Sequence, residues 1–382
     1  MTRRNWFTIT GGSALAQPAA PPPRIACILN AYFPNSHADV FIGRLLDGYR
    51  LNGKWHSPKL QTVSFYVDQF PFNDMAREQA AEYGIRICKS VSEAIDGVDG
   101  IAVIGEHGNY PRTPRGNFMY PRKRYFDEIV SNFEKQGRVL PLHNDKYFAY
   151  DWADAKSMAD RIRTLKIPFA CGSTLPLSWQ KPPLNLPPEP RFDELLAVSF
   201  SDLEEHAYHG IEALQSVAER RGETGVAAVR YMEGDDVYKI SPKLLDAALA
   251  RRVNPPPASV TEPRPPGSGS QKPEAFQIRY RDGLQASVLN LNSKTRDYLV
   301  AAKLRNETRP RAACFYISLY VHSHWGFMVQ AFENLVLTKK PAMPMERTLL
   351  SNGILLAGLE SRRKGGTWVD TPELAFSYSW PR

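Results

Sequence analysis

RIACILNAYFPNSHADVFIGRLLDGY, residues 24–49, carries the reading of the fold. Arg24–Leu29 is a short apolar run behind a Pro-rich spacer, and it reads as a buried strand. Residues 38–49 follow with Val40, Phe41, Leu45 and Leu46 at helical spacing. A strand that feeds a helix opens a βα unit, and the pattern repeats downstream. Residues 60–67 read as a second strand ending at Asp68, and residues 75–83 as a helix stopped by Gly84. Residues 85–88 and Gly100–Ile104 are further strands, with Ser90 and Ser92 as N-caps for a helix through Ile95 between them. Residues 124–136 form an amphipathic helix closed by Gly137, residues 139–142 a strand, and Trp152–Leu165 a helix. This alternation predicts an α/β, Rossmann-like doubly wound parallel sheet over residues 24–165.

The pattern then changes. Residues 181–190 (KPPLNLPPEP) are a stiff connector. Strands are predicted at 195–200, 226–232, 275–280, 284–291 and 311–320, with helices at 207–218, 325–338 and 345–360. Strands that follow one another with few helices between them predict a C-terminal α+β domain, residues 166–382, on an open and mainly antiparallel sheet. Residues 253–273 carry seven prolines and a Gly-Ser-Gly-Ser run, and read as a flexible insert dispensable for folding.

The 382 residues are 43% hydrophobic and 23% charged, a globular balance with room for two cores. No run of 18 apolar residues occurs, so no transmembrane helix is expected. The net charge of +8 is spread over short clusters: Arg122-Lys123-Arg124, Arg220-Arg221 and Arg362-Arg363-Lys364. No basic stripe is interleaved with aromatics, so these read as solvated surface charge, not a nucleic-acid interface. Cys27, Cys88, Cys171 and Cys314 are far apart and show no metal or redox spacing; burial as small hydrophobes is expected. The first 23 residues read as an address and a spacer. Arg3-Arg4, a spacer residue and then Trp6-Phe7 match a twin-arginine export signal, and Ala14-Leu15-Ala16 suits signal peptidase. An exported, periplasmic protein cleaved after Ala16 is the expectation.

Several segments, in order, resemble one family. Residues 99–104 (DGIAVI) look like the fourth Rossmann strand of the glucose–fructose oxidoreductase and inositol dehydrogenase family. Residues 137–162 (GRVLPLHNDKYFAYDWADAKSMADRI) are similar to its segment bearing a Glu-Lys-Pro motif, with Lys146 at the lysine. Residues 208–214 (YHGIEAL) resemble the helix carrying its active-site histidine, here His209, and residues 350–366 resemble its C-terminal helix. The resemblance implies an NAD(P)-dependent oxidoreductase acting on a sugar or polyol, in a homo-oligomer. It implies catalytic roles for Lys146 and His209. Glu205 stands four residues before His209, where the family has an aspartate, and an i,i+4 pair shares one helix face. Asn30, Ser36, Asp68, Glu106, His107 and Lys146 fall at or near the cofactor positions.

The departures are specific. The family's G-x-G-x-x-G becomes residues 30–37 (NAYFPNSH), with no glycine, two aromatics and a proline that has no N–H for a phosphate. The proline of its lysine motif is Tyr147 here. Two other readings stay open. Glu106, His107, His143, His206, His209, His322 and His324 could hold a divalent metal for a lyase, epimerase or hydrolase reaction. The chain could also be a non-catalytic sugar-binding or partner subunit.

Overall fold

Six strands build the first sheet: β1 (Arg24–Leu29), β2 (Gln61–Val67), β3 (Arg86–Cys88), β4 (Gly100–Ile104), β5 (Leu142–Asp145) and β6 (Phe169–Gly172). All neighbours run parallel, in the order β3-β2-β1-β4-β5-β6. Helices α1 (His37–Asp47), α2 (Ala76–Tyr83), α3 (Val91–Ala94), α4 (Arg122–Gln136) and α5 (Trp152–Leu165) connect them. The chain steps from β1 to β2 on one side and returns to β4 on the other. A crevice therefore opens above the carboxyl ends of β1 and β4. This computed structural model describes residues 20–255, 272–319 and 321–379. The export signal and most of the Pro-rich insert lie outside the described residues.

Two expectations shift here. The strand expected at 139–142 begins at Leu142, because Pro141 offers no N–H to a ladder and Val139 is exposed. The shift carries Asp145 and Lys146 to the crevice. The domain boundary at 165 falls one strand short, since β6 pairs with β5. A small hairpin, Tyr49–Leu51 against Lys54–His56, stands between α1 and β2 where none was expected.

The second sheet contains β7 (Phe192–Ser199), β8 (Val226–Glu233), β9 (Glu274–Tyr280), β10 (Gln285–Asn290), β11 (Tyr298–Leu304) and β12 (Arg311–Phe315). Their order is β8-β9-β10-β7-β11-β12, with two-residue strands at either edge. Pairing is antiparallel except between β7 and β10. Alternation along β7 shows how both faces are used. Leu195 and Ala197 pack under α6 (His206–Ala218) and α9 (Met345–Arg363). Leu196 and Val198 pack against α7 (Pro242–Leu249). A strand buried on both faces reads as an unbroken apolar run, as residues 195–198 do. The remaining helix, α8 (Trp325–Thr338), returns to the first sheet. Its Met328, Val329 and Phe332 share a core with Ile25, Cys27 and Phe41. All four cysteines are free and buried. No helix among the described residues is long and apolar enough to cross a membrane.

Candidate active site

Lys146 follows β5 in the left-handed region, at φ 61°, where its carbonyl accepts from the Gly172 amide at 2.9 Å. Its ammonium is buried 3.3 Å from Glu106 Oε1. The other oxygen of Glu106 receives Arg122 Nη2 at 2.5 Å, with Arg122 also fully buried. Gly105 makes this possible: a Cβ there would lie 2.7 Å from Arg122 Cγ. Burial alone would lower the lysine pKa, but Glu106, Glu205 and Asp145 outweigh it and hold Lys146 charged. Burial pushes Glu106 well up against the pull of Lys146 and Arg122. Glu205 moves the other way: Lys146, His107 and His206 overcome its desolvation and keep it ionised.

His209 projects from α6 in the second domain. Its Nδ1 lies 2.7 Å from Ser173 Oγ, which also accepts from the Leu175 amide. Burial, with Lys146 and His37 nearby, drives its pKa well below the ordinary value, so the ring is neutral at pH 7. Glu205 does not orient it. That carboxylate precedes the first regular residue of α6 and accepts from Tyr120 Oη at 3.0 Å. The i,i+4 pair that does form is Asp202 with His206, at 2.7 Å. The hydroxyl of Ser173 holds His209 in place of the expected carboxylate.

Lys146, Glu205, His107 and His209 line one cavity of about 320 Å³ between the domains, with His37, Tyr298 and Trp325. His37 begins α1, and its Nδ1 lies 2.6 Å from Asp145 Oδ2. Burial lowers the pKa of the histidine and raises that of the aspartate. Sequence reasoning missed His37, Arg122 and Tyr120. Arg122 was grouped with surface charge. The signal against that reading was its position beside Pro121 at a helix start, between Tyr120 and Tyr125.

Of the expected cofactor residues, His107 and Lys146 line this cavity and Glu106 pairs with Lys146, but Asn30, Ser36 and Asp68 do not reach it. Asn30 is buried, its Oδ1 taken by Tyr125 Oη at 2.9 Å and its Nδ2 donated to the His107 carbonyl at 3.2 Å. Ser36 is the N-cap of α1, accepting from the Asp39 and Phe33 amides at 3.2 Å each. The Asn35 amide is taken by the Asp39 carboxylate at 2.7 Å. Asp68 accepts from Tyr66, Tyr110 and Arg124, at 2.7, 2.7 and 2.5 Å. The helix N-terminus and the ribose-type acid of a dinucleotide site are thus satisfied from within the chain. These residues do not fit a dinucleotide in the ordinary Rossmann pose.

Among the described residues, the group able to present three ligand atoms to a metal is Asp202, Glu205 and His206, within 4.8 Å of one another. Of the seven residues expected as metal ligands, only His206 belongs to it. His143 instead lies buried, stacked on Phe41 with ring centroids 5.2 Å apart.

A myo-inositol 2-dehydrogenase from Lactobacillus plantarum superposes over 92% of this chain and 99% of its own, with a TM-score of 0.57 and 12% identity. The fold is that of the inositol dehydrogenases. An apo scyllo-inositol dehydrogenase from Lactobacillus casei covers 91% of this chain and 98% of its own, at TM-score 0.59 and 10% identity. A protein of gentamicin A biosynthesis, solved in complex with NAD, covers 93% and 98% at TM-score 0.57 and 10% identity. No family model and no curated protein sequence matches the chain. The likeness to inositol dehydrogenases is one of architecture: parallel domain first, mainly antiparallel sheet second, crevice between.

Proposed function

We propose that this protein is a sugar- or polyol-directed oxidoreductase working in the interdomain cavity. The observation that carries the proposal is the convergence of Lys146 from the first domain and His209 from the second on one cavity. The neutral imidazole of His209 can take a hydroxyl proton. With Nδ1–H donating to Ser173 Oγ, the other ring nitrogen carries the lone pair. The ammonium of Lys146 steadies the oxyanion that develops. Solved proteins of this fold include inositol dehydrogenases and one in complex with NAD, which supports the substrate class; a nicotinamide dinucleotide, where bound, would supply the hydride chemistry. In this chain such a cofactor has to be held by contacts other than a glycine loop. Lys146 keeps its charge on the cavity wall although its burial is costly.

The test is mass spectrometry of small molecules released by heat from the purified protein, with calorimetry of myo-inositol and methyl glucoside binding. We expect polyol or sugar binding that Lys146→Ala weakens. His209→Ala should lower turnover about 10²–10⁴-fold while leaving folding intact. Binding that is indifferent to Lys146, with no turnover of any polyol in the presence of NAD or NADP, would refute the assignment. We also propose export through the twin-arginine route, which Arg3-Arg4 supports. Replacing both arginines by lysine should leave the protein in the cytoplasm, as cell fractionation would show.

A further inference from the structure

Gly43 stands in the middle of α1, where glycine costs helix stability relative to alanine. Other glycines within helices have a packing reason. A Cβ at Gly210, Gly326, Gly353 or Gly358 would meet a neighbouring side chain within 3.0 Å. A Cβ at Gly43 would meet nothing within 4 Å among the described residues. Neither packing nor backbone conformation accounts for it. Gly43 lies instead on the floor of a second cavity of about 570 Å³, along one face of α1. Asp39 and Asp47 flank it at i−4 and i+4, each with one carboxylate oxygen engaged, by the Asn35 amide and by Tyr83. Arg44 donates to the Val40, Val321 and His322 carbonyls and so ties α1 to the chain ahead of α8. Arg50 adds an exposed guanidinium, and Trp55 of the small hairpin is 60% exposed. The second cavity shares Asn35, Val40 and His322 with the active-site cavity, so the two are adjoining. From Asp39 to Asp47 the helix rises about 12 Å.

We propose that this groove is a second subsite, which makes the substrate a glycoside or disaccharide, not a single ring. The inference rests on the sugar-directed reading of the active site. The remaining carboxylate oxygens of Asp39 and Asp47, with the Arg50 guanidinium, are suited to the paired hydroxyls of a sugar, by charge-assisted hydrogen bonds. An exposed indole offers an apolar, polarisable face to the C–H side of a pyranose. The bare backbone at Gly43 lets the second ring approach the helix closely. One ring occupies the cavity with Lys146 and His209, and the other lies over Gly43 against Trp55.

The test is calorimetric binding of methyl glucoside and myo-inositol against cellobiose and maltose, in the full-length protein. We expect a disaccharide to bind at least tenfold more tightly than either single-ring ligand. Trp55→Ala should erase that advantage and leave single-ring affinity unchanged. Gly43→Gln should erase it too, and Gly43→Ala should raise the melting temperature while weakening only the disaccharide. That combination separates a ligand role from a structural one, which would lower the melting temperature. Equal affinity for one and two rings, or a disaccharide advantage untouched by Trp55→Ala and Gly43→Gln, overturns the subsite and leaves the active-site reading standing. Failure of every saccharide to bind overturns the active-site reading and the subsite with it.

Discussion

The crevice above the parallel sheet has two sides, and they are built on opposite terms. On the β2 side nearly every polar group is satisfied by the chain itself. Asp68 holds two tyrosines and an arginine, Ser36 and Asp39 close the start of α1, and Asn30 ties β1 to the loop after β4. On the β5 side buried charges and neutral imidazoles face open space. Lys146, Glu106 and Arg122 are desolvated with partial pairing, and His107 Nε2 is buried with no hydrogen-bond partner among the described residues. Hydrogen bonds that close on themselves serve stability. Groups kept charged or unmatched beside a cavity are the mark of a reactive site. In this chain the stability is concentrated where related folds place a nucleotide, and the chemistry is concentrated across from it.

Substitutions on each side should therefore separate stability from activity. Lys146→Met on the open side leaves Glu106 to Arg122 and removes the cation that does most to keep the buried Glu205 ionised. Removing one member of a buried ion pair costs about 3–5 kcal/mol, so denaturant unfolding should show a loss of that order, and turnover should vanish with it. Retained stability would mean that Glu205 takes up a proton at no cost, and the charged cluster would then be a poor description of the site. On the closed side, Asp68→Ala strands Tyr66, Tyr110 and Arg124 at once. It should cost about 1–3 kcal/mol and leave saccharide binding untouched. A large loss of activity there would break the contrast and return Asp68 to a ligand role.

The smallest effect is a dependence on pH. Glu204 is buried at the edge of the open side, accepting from Tyr147 Oη at 2.6 Å and from the Phe118 amide. Burial raises its pKa to about 7, although both hydrogen bonds oppose the shift. A carboxyl whose folded pKa lies above its unfolded value favours folding at low pH. That contribution is complete below the ordinary carboxylate range and lost as pH rises to about 7. Glu204→Gln should therefore flatten the fall in stability between pH 5 and 8, measured by urea midpoints. Parallel curves for the two proteins would place the proton elsewhere.

Much of the fold was legible in residues 24–165, because βα alternation depends on local spacing and on punctuation by Gly84 and Gly137. The identities of Lys146 and His209 as cavity residues were also legible, since each follows or begins a recognisable element. Their partners were not. Glu205 looked like the orienter of His209 by helical spacing, yet Tyr120, eighty-five residues away in sequence, claims it. Arg122 looked exposed because charge clusters usually are, and only the tertiary pairing with Glu106 buries it. Asp68 and Ser36 sit where a dinucleotide reader expects them, but Tyr110 and Arg124 in one case and local backbone amides in the other had already taken their oxygens. Long-range hydrogen bonding leaves no periodic trace in a sequence.

The return of α8 to the first sheet sets the order in which this protein can form on the ribosome. Ile25, Cys27 and Phe41 are among the first core residues made, yet the side chains that cover them, Met328, Val329 and Phe332, come some three hundred residues later. At about 5–20 residues per second of synthesis, the parallel sheet waits roughly ten to thirty seconds after Gly172 for its last wall. A nascent chain stalled before Trp325 carries a bare apolar face and is a natural client for a chaperone. Cutting the gene between the two sheets would leave that face bare for good, so the first domain is not expected to survive as an independent module.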